Sequence, residues 1–291
     1  MKKNNNKLDQ FYTNPLICNH LVEVVKKLIP NQLDHEILEP SAGTGNFIDA
    51  LIDIAKVKRR HIIAYDIEPK ADNIEKKDYL KENIIFSDKR FVIGNPPFGY
   101  RGKLALEFLN KALSEANYVA MILPNIFQRY SIQKQVNKNA KLIYVETLGD
   151  DSFIVNDRKY DVKCVFQIWT IENTSDSDMR IKEAPAIRHQ DFKTFIHNNT
   201  ENTLKYFDKS KYKWDFAVHR QGYYDYNLKI TNPKKLIKNR QYFFVKVIND
   251  QAWDIINKID FKKLSKSNTQ VYGFSTTDFV EEYKRLKGEK F

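Results

Sequence analysis

The residues of this chain best equipped for chemistry are Asn95, Pro96, Pro97 and Phe98, which directly follow a short apolar run at residues 91–94. Two successive prolines fix φ and cannot donate hydrogen bonds, so the chain leaves the run as a stiff loop with free carbonyls. An amino group on a planar base could donate one proton to the Asn95 side-chain oxygen and the other to the Pro96 carbonyl, with the Phe98 ring stacked on the base. The chemistry this suits is nucleophilic attack by an exocyclic amine. Such an amine is a poor nucleophile while its lone pair is delocalised into the ring, and two acceptors favour a pyramidal nitrogen whose lone pair points outward. An Asn-Pro-Pro turn that merely ends a strand would use the same residue types.

A second cluster, Glu39, Pro40, Ser41, Ala42, Gly43, Thr44 and Gly45, stands where a strand turns into a helix. Two glycines spaced by one residue let the backbone approach a ligand closely, and the helix start offers N–H groups. Alone, the pair is also an ordinary tight turn. The third glycine of the dinucleotide fingerprint is missing, since Asn46, Phe47 and Ile48 follow, which disfavours a nicotinamide cofactor. Asp66 closes the next apolar run, where a carboxylate either accepts from two ribose hydroxyls or is a solvated strand end. The six histidines, His20, His35, His61, His189, His197 and His219, show no ligand spacing, so no metal site is expected. Cys18 and Cys164 are too few for a disulfide framework and read as packed thiols.

The elements that position these clusters alternate. Helical spacing marks residues 16–29, 47–57 and 104–116, and strand-like runs mark 36–39, 61–67, 91–94 and 118–123. Alternation predicts a parallel sheet with helices on both faces and ligands at the carboxyl ends of the strands. A helix at 125–137 then leads to two apolar runs, 142–148 and 163–171, which should pair antiparallel. Residues 172–178 read as a surface linker or loop, beyond which the alternation disappears. Residues 276–286 read as an exposed helix capped by Thr276 or Thr277 and ending before Gly288.

The chain has 291 residues, 48 Lys+Arg against 37 Asp+Glu and a pI near 9.3, enough length for one large domain or one plus a smaller one. No apolar stretch exceeds strand size and residues 1–7 are polar and basic, so a soluble, intracellular, cytoplasmic protein without a membrane segment is expected. Residues 205–246 hold 11 Lys/Arg against 3 Asp/Glu and are crowded with rings, which favours a polyanionic partner or, equally, a solvated face over an aromatic core.

Together, Asn95-Pro96-Pro97-Phe98 and the stretch from Glu39 to Gly45 resemble the S-adenosylmethionine-dependent N6-adenine DNA methyltransferases whose cofactor motifs precede the catalytic one. The resemblance covers about residues 10–171 and implies a Rossmann-like seven-stranded α/β sheet with its last strands antiparallel. It implies a catalytic domain at 1–171 and a small DNA target recognition region at 172–291. Phe11 to Pro15 resembles the family's N-terminal motif, in which Thr13 would help hold the methionine end of the cofactor. Glu39, Pro40, Ser41, Ala42, Gly43 and Gly45 would wrap that end, Asp66 with Ile67 would bind the ribose side, and Asp78-Tyr79 would meet the cofactor's adenine. Asn95, Pro96, Pro97 and Phe98 would grip the target adenine. Asp150, Asp151 and Ser152 precede Phe153, a candidate second wall of the base pocket or a ring anchored in the core.

No family residue carries into the C-terminal region, so its reading is bottom-up. Extruding an adenine from the duplex costs a few kcal/mol, met by backbone contacts and stacking. Lys211, Lys213, Lys234, Lys235, Lys238 and Arg240 are candidate phosphate contacts, and Arg220 with Gln221 suits direct base reading. The implied partner is double-stranded DNA, with a cognate restriction endonuclease as a further one; monomer and homodimer both stay open. Competing readings are an RNA adenine methyltransferase, whose members are often shorter and lack a long basic, aromatic tail, and a release-factor glutamine methyltransferase, which carries a longer N-terminal domain. A catalytically idle nucleic-acid-binding module is the reading from another class.

Overall fold

The computed structural model describes residues 12–149, 152–155, 158–160, 163–266 and 271–289; Phe11, Asp150 and Asp151 lie outside them. The chain forms two compact units, the first reaching to Glu183 and the second beginning at Ala184.

In the first unit the chain runs β1 (Tyr12–Thr13), α1 (Pro15–Leu28), β2 (Glu36–Glu39), α2 (Asn46–Asp53), β3 (Ile62–Asp66), β4 (Glu75–Lys76) and β5 (Ser87–Gly94). It continues through α3 (Lys103–Glu115), β6 (Ala116–Pro124), β7 (Lys141–Thr147), β8 (Phe153–Val155), β9 (Arg158–Tyr160) and β10 (Cys164–Thr170). A seven-stranded sheet has the order β4-β3-β2-β5-β6-β10-β7, parallel up to β6, with β10 antiparallel to both neighbours. The predicted antiparallel pairing of the last two runs is therefore present. Every residue of β10 is buried, as a central strand covered on both faces requires. Helix α1 starts at Pro15 after Asn14, whose side chain accepts from Leu16 N at 3.0 Å, and it buries Cys18, Leu21, Val22 and Val25.

One expectation is corrected here. The single helix predicted at 125–137 is a 3-10 turn (Asn125–Gln128) and one helical turn (Tyr130–Gln133), broken at Arg129 with φ −96° and ψ 139°. Phe127 is buried and its carbonyl accepts from Gln133 Nε2 at 2.9 Å, so side-chain packing overrides helical continuity. Residues 172–178 form a surface loop, one of the two forms expected of them, and the chain there stays on the first unit. Met179 N donates to Leu142 O at 2.8 Å, Leu142 N to Asp178 Oδ1 at 3.2 Å and Ile181 N to Gln133 Oε1 at 2.8 Å.

The second unit holds an antiparallel sheet of β11 (Phe192–His197), β12 (Phe216–Gln221) and β13 (Gln241–Val247), with β13 in the centre. Alternation along β13 sends Phe243 and Val245 to one face and Tyr242 and Phe244 to the other. The first face packs on Ile256, Phe261 and the C-terminal helix (Thr276–Lys287) through Phe279 and Tyr283; the second packs on Trp214, Tyr206, Phe207 and Tyr212. The cap of the C-terminal helix is Ser275, not Thr276 or Thr277. Its hydroxyl accepts from Asp278 N at 3.2 Å while Asp278 Oδ2 accepts from Ser275 N at 2.6 Å, a reciprocal capping box. Among the described residues no helix is long and apolar enough to cross a membrane.

The same helix is clamped to the start of β11 by buried Asp191, which accepts from Tyr283 Oη at 2.6 Å and Lys287 Nζ at 2.8 Å. Burial alone would raise the Asp191 carboxyl, but bonds from Lys287, Tyr283 and Asn249 hold it down at about 2. Asp178 behaves alike: burial opposes, and the Arg180 guanidinium and backbone donors hold it at about 2. Both are depressed below the unfolded value near 3.9, so their contribution to stability is complete above about pH 4 and is lost as pH falls toward about 2. Thermal melts across that window should show Tm falling, with a shallower fall in Asp191→Asn; an equally steep fall in that variant would remove Asp191 from the account.

Candidate active site at the strand ends of the first unit

The carboxyl ends of β2 and β5 lie side by side, and Gly94 is what permits it: a Cβ there would stand 3.4 Å from Pro40 Cδ and 3.5 Å from Glu39 Cγ. The loops beyond are joined by side chains. Ser41 Oγ donates to Asn95 O at 3.0 Å, Asn95 Nδ2 donates to Thr13 Oγ1 at 3.1 Å, and Asn46 Nδ2 donates to Thr13 O at 2.7 Å. Three motifs far apart in sequence thus meet around one nook of about 30 Å3, lined by Thr13, Glu39, Ser41, Gly43, Asn46 and Asn95 among others.

Gly43 has φ +52° and Gly45 φ +85°, left-handed values that glycine adopts without strain. A Cβ on Gly43 would also lie 3.1 Å from the Tyr12 ring, so the strap at β1 closes directly over the turn. Asp66 holds the turn from the next strand: Oδ2 accepts from Gly43 N and Oδ1 from Glu68 N, both at 2.8 Å. It is therefore not merely a solvated strand end, and Ile67 beside it is 48% exposed. Glu39 is 2% exposed and its Oε2 has no hydrogen-bond partner among the described residues. Burial first, then the nearby Asp66 and Asp49 carboxylates, push the Glu39 carboxyl well above the usual range, with Arg59 opposing.

Around the acceptor loop, Pro96 is buried and Asn95 and Pro97 are half-buried. β1 pairs with β8 in the register Thr13 to Phe153, which brings the Phe153 ring edge-on to Phe98 at 6.4 Å and 87°. Phe98 is 8% exposed and Phe153 fully buried, so the two expected walls of a base pocket are brought together and closed on each other. Gly99, at φ +66°, turns the chain into α3, and a Cβ there would meet Leu104 Cβ at 2.7 Å.

The Asp78-Tyr79 pair divides. Asp78 stays at the surface, caps the following turn by accepting from Leu80 N at 3.2 Å and pairs with Lys81 Nζ at 2.9 Å. The Tyr79 ring lies in the core against Phe108, and its hydroxyl donates to buried Glu115 at 2.7 Å. Tyr79→Phe should therefore cost about 1–2 kcal/mol of stability by leaving Glu115 short of a donor, with ligand binding at the nook unchanged. Melting and calorimetric titration check this; a selective loss of binding would return Tyr79 to the site.

In the second unit the expected contacts fall in two places. Lys211 and Lys213 precede the start of β12 and are exposed. Gln221 and Lys238 are exposed near its other end, where Gln221 pairs with Gln241, and Lys234 and Lys235 are exposed on the segment that runs between Ile230, bridged to Ala217, and β13. Arg220 is largely covered: burial lowers its pKa, Nη1 donates to Gln241 Oε1 at 3.0 Å, and Nε has no hydrogen-bond partner among the described residues. The guanidinium of Arg240 lies 4.8 Å from the centroid of the Tyr224 ring. Asn46 lines the nook, as do Tyr12 and Phe47, without having been expected there; an Asn at a helix start is too ordinary to signal a bond to the distant Thr13.

No protein-family model matches this chain, and no curated protein matches it. Among solved structures it is similar to a putative class I S-adenosylmethionine-dependent methyltransferase from Listeria monocytogenes, at 16% identity over 60% of this chain and 64% of that one, with a TM-score of 0.44. It is also similar to the methyltransferase subunit of a type I restriction-modification system from Streptococcus thermophilus, at 13% identity over 57% of this chain and 45% of that one, TM-score 0.42. A third similar structure is the 23S rRNA methyltransferase ErmE, at 14% identity over 96% of this chain and 100% of that one, TM-score 0.39. The chain thus spans less than two thirds of the Listeria protein and under half of the Streptococcus subunit.

Proposed function

We propose that this chain is an S-adenosylmethionine-dependent methyltransferase acting on the N6 amine of an adenine extruded from double-stranded DNA. The observation that carries the reading is the junction of the Asn95 loop with the glycine turn, where Asn95 is bonded to both Ser41 and Thr13 at one set of strand ends.

The nook suits the charged end of such a cofactor. Glu39 brings a buried carboxyl with an unused oxygen, matched to a cationic group, and about 30 Å3 is room for one small polar group. In this reading Thr13, Glu39, Pro40, Ser41, Ala42, Gly43 and Gly45 hold the methionine end, Asp66 accepts from ribose hydroxyls with its remaining lone pairs, and Ile67 and Asp78 face the nucleobase side. Bound S-adenosylmethionine would supply a methyl group made electrophilic by its sulfonium. The chain's own task is positioning. Asn95 and the Pro96 carbonyl accept the two amine protons, Pro97 stiffens the corner, and Phe98 stacks on the base. Little of either ring is exposed, so entry of a base requires Phe98 and Phe153 to part.

Incubation with unmethylated DNA and labelled cofactor, followed by nucleoside mass spectrometry, should reveal N6-methyladenine. Label appearing only in RNA or in a protein amide would replace the substrate, and no transfer to any of the three would defeat the reading.

A further inference from the structure

We infer that the loop after β12 presents Tyr223 as a stacking surface for a base exposed when the DNA duplex opens; this rests on the proposed reading and names where the second unit meets its substrate. The fold selects the ring. Of the rings between residues 205 and 246, Trp214, Phe216, Tyr226, Tyr242, Phe243 and Phe244 are buried in the two layers of the sheet. Tyr223 is 68% exposed, beside Tyr224 at 37% and Tyr272 at 39%. Tyr224 is already engaged, stacked on His219 at 4.2 Å and 21°. Tyr223 meets Tyr272 only edge-on, at 5.4 Å and 80°, which leaves its ring open for stacking.

The loop that carries it is held without being buried. Gly222 N donates to Tyr272 O at 2.9 Å, and the hydroxyl of buried Tyr226 lies 2.7 Å from both the Gly222 and the Tyr272 carbonyl. Gly222 has φ +115°, and a Cβ there would stand 2.5 Å from the Tyr224 ring, so this backbone conformation belongs to glycine. An aromatic ring held outward on a pinned loop has lost little freedom by the time it binds, which favours affinity.

The surroundings fit a polyanion. Lys238 and Arg240 lead into β13 at the end of the sheet where Gln241 pairs with Gln221, and the Arg240 guanidinium lies 4.8 Å from the ring of neighbouring Tyr224, while Asp225 is the one carboxylate in residues 216–240. A basic rim around an exposed ring is the combination that binds unstacked bases, with the ring meeting the base and the cations the phosphates. Extrusion of one adenine leaves its neighbours and its partner base short of a stacking contact, which an exposed ring can supply.

The test uses the full chain, a labelled duplex, and the same duplex with one abasic position standing for an extruded base. Tyr223→Ala should bind the abasic duplex about tenfold more weakly than the unsubstituted protein. Tyr223→Phe should bind as tightly, because stacking needs the ring and not the hydroxyl. The slope of log affinity on log salt should be the same for all three, since no phosphate contact is removed. An unchanged affinity in Tyr223→Ala, or an equal loss in Tyr223→Phe, would overturn the inference while methyl transfer by the intact protein left the proposed function standing. Absence of both DNA binding and transfer in the intact protein would overturn the two together.

Discussion

Asn95→Ala is expected to lose methyl transfer by at least about two to three orders of magnitude, with cofactor affinity held within a few-fold. In the proposed function the side chain would supply one of two acceptors aimed at an amine whose charge develops only as the new bond forms, so its loss should raise the barrier more than it weakens ground-state binding. The loop itself should persist: the Ser41 hydroxyl bonds the Asn95 backbone carbonyl, which alanine retains, and Pro96 and Pro97 still fix the corner. What disappears is the Nδ2 bond to Thr13, at the rim of the nook. Single-turnover transfer on DNA and calorimetric titration of cofactor separate the two effects. Near-normal turnover in the variant, or a collapse of cofactor binding as large as the loss of turnover, would defeat the amine-positioning mechanism.

Trp214→Ala is expected to cost about 3–5 kcal/mol, a large part of the stability of an ordinary domain. The indole is fully buried on the second face of the small sheet, tilted against Phe244 at 5.2 Å, with Nε1 donating to Tyr206 O at 2.9 Å and Lys209 Nζ 4.6 Å from the ring. Truncation would leave a cavity beneath residues 205–212 and an unmet backbone carbonyl. Differential scanning calorimetry should show the second unit melting much earlier in the variant. A loss below about 1 kcal/mol would mean that this layer collapses onto the gap and is not a close-packed core.

The ring-rich stretch shows what each level of description decides. Between residues 205 and 246 the sequence supports two uses for its aromatics, core and nucleic-acid contact, and composition cannot separate them because both require large rings next to lysines. The β12–β13–β11 register separates them: alternation along β13 commits Tyr242 and Phe244 to one layer and Phe243 to the other. Tyr223 is left outside because Gly222 turns the chain off the end of the sheet. Arg220 shows the reverse, a residue suited by type to reading bases that the fold leaves largely covered with one N–H bonded to Gln241.

In the first unit the parallel sheet was legible because strands buried on both faces are continuously apolar and the helices between them carry a 3.6-residue stripe, both local signals. The acceptor loop and glycine turn were legible because proline and glycine dictate backbone conformation whatever surrounds them. The surroundings of Tyr79 were not legible for a matching reason: whether a ring faces a cleft or Glu115 depends on the packing of α3, which lies elsewhere in the chain. Likewise only the folded chain brings Thr13 to Asn95, Asn46 to Thr13 and Phe153 to Phe98. Conformational rules act through neighbouring residues and can be read along the chain, whereas hydrogen bonds and ring contacts between distant segments exist only once the sheet has set their register.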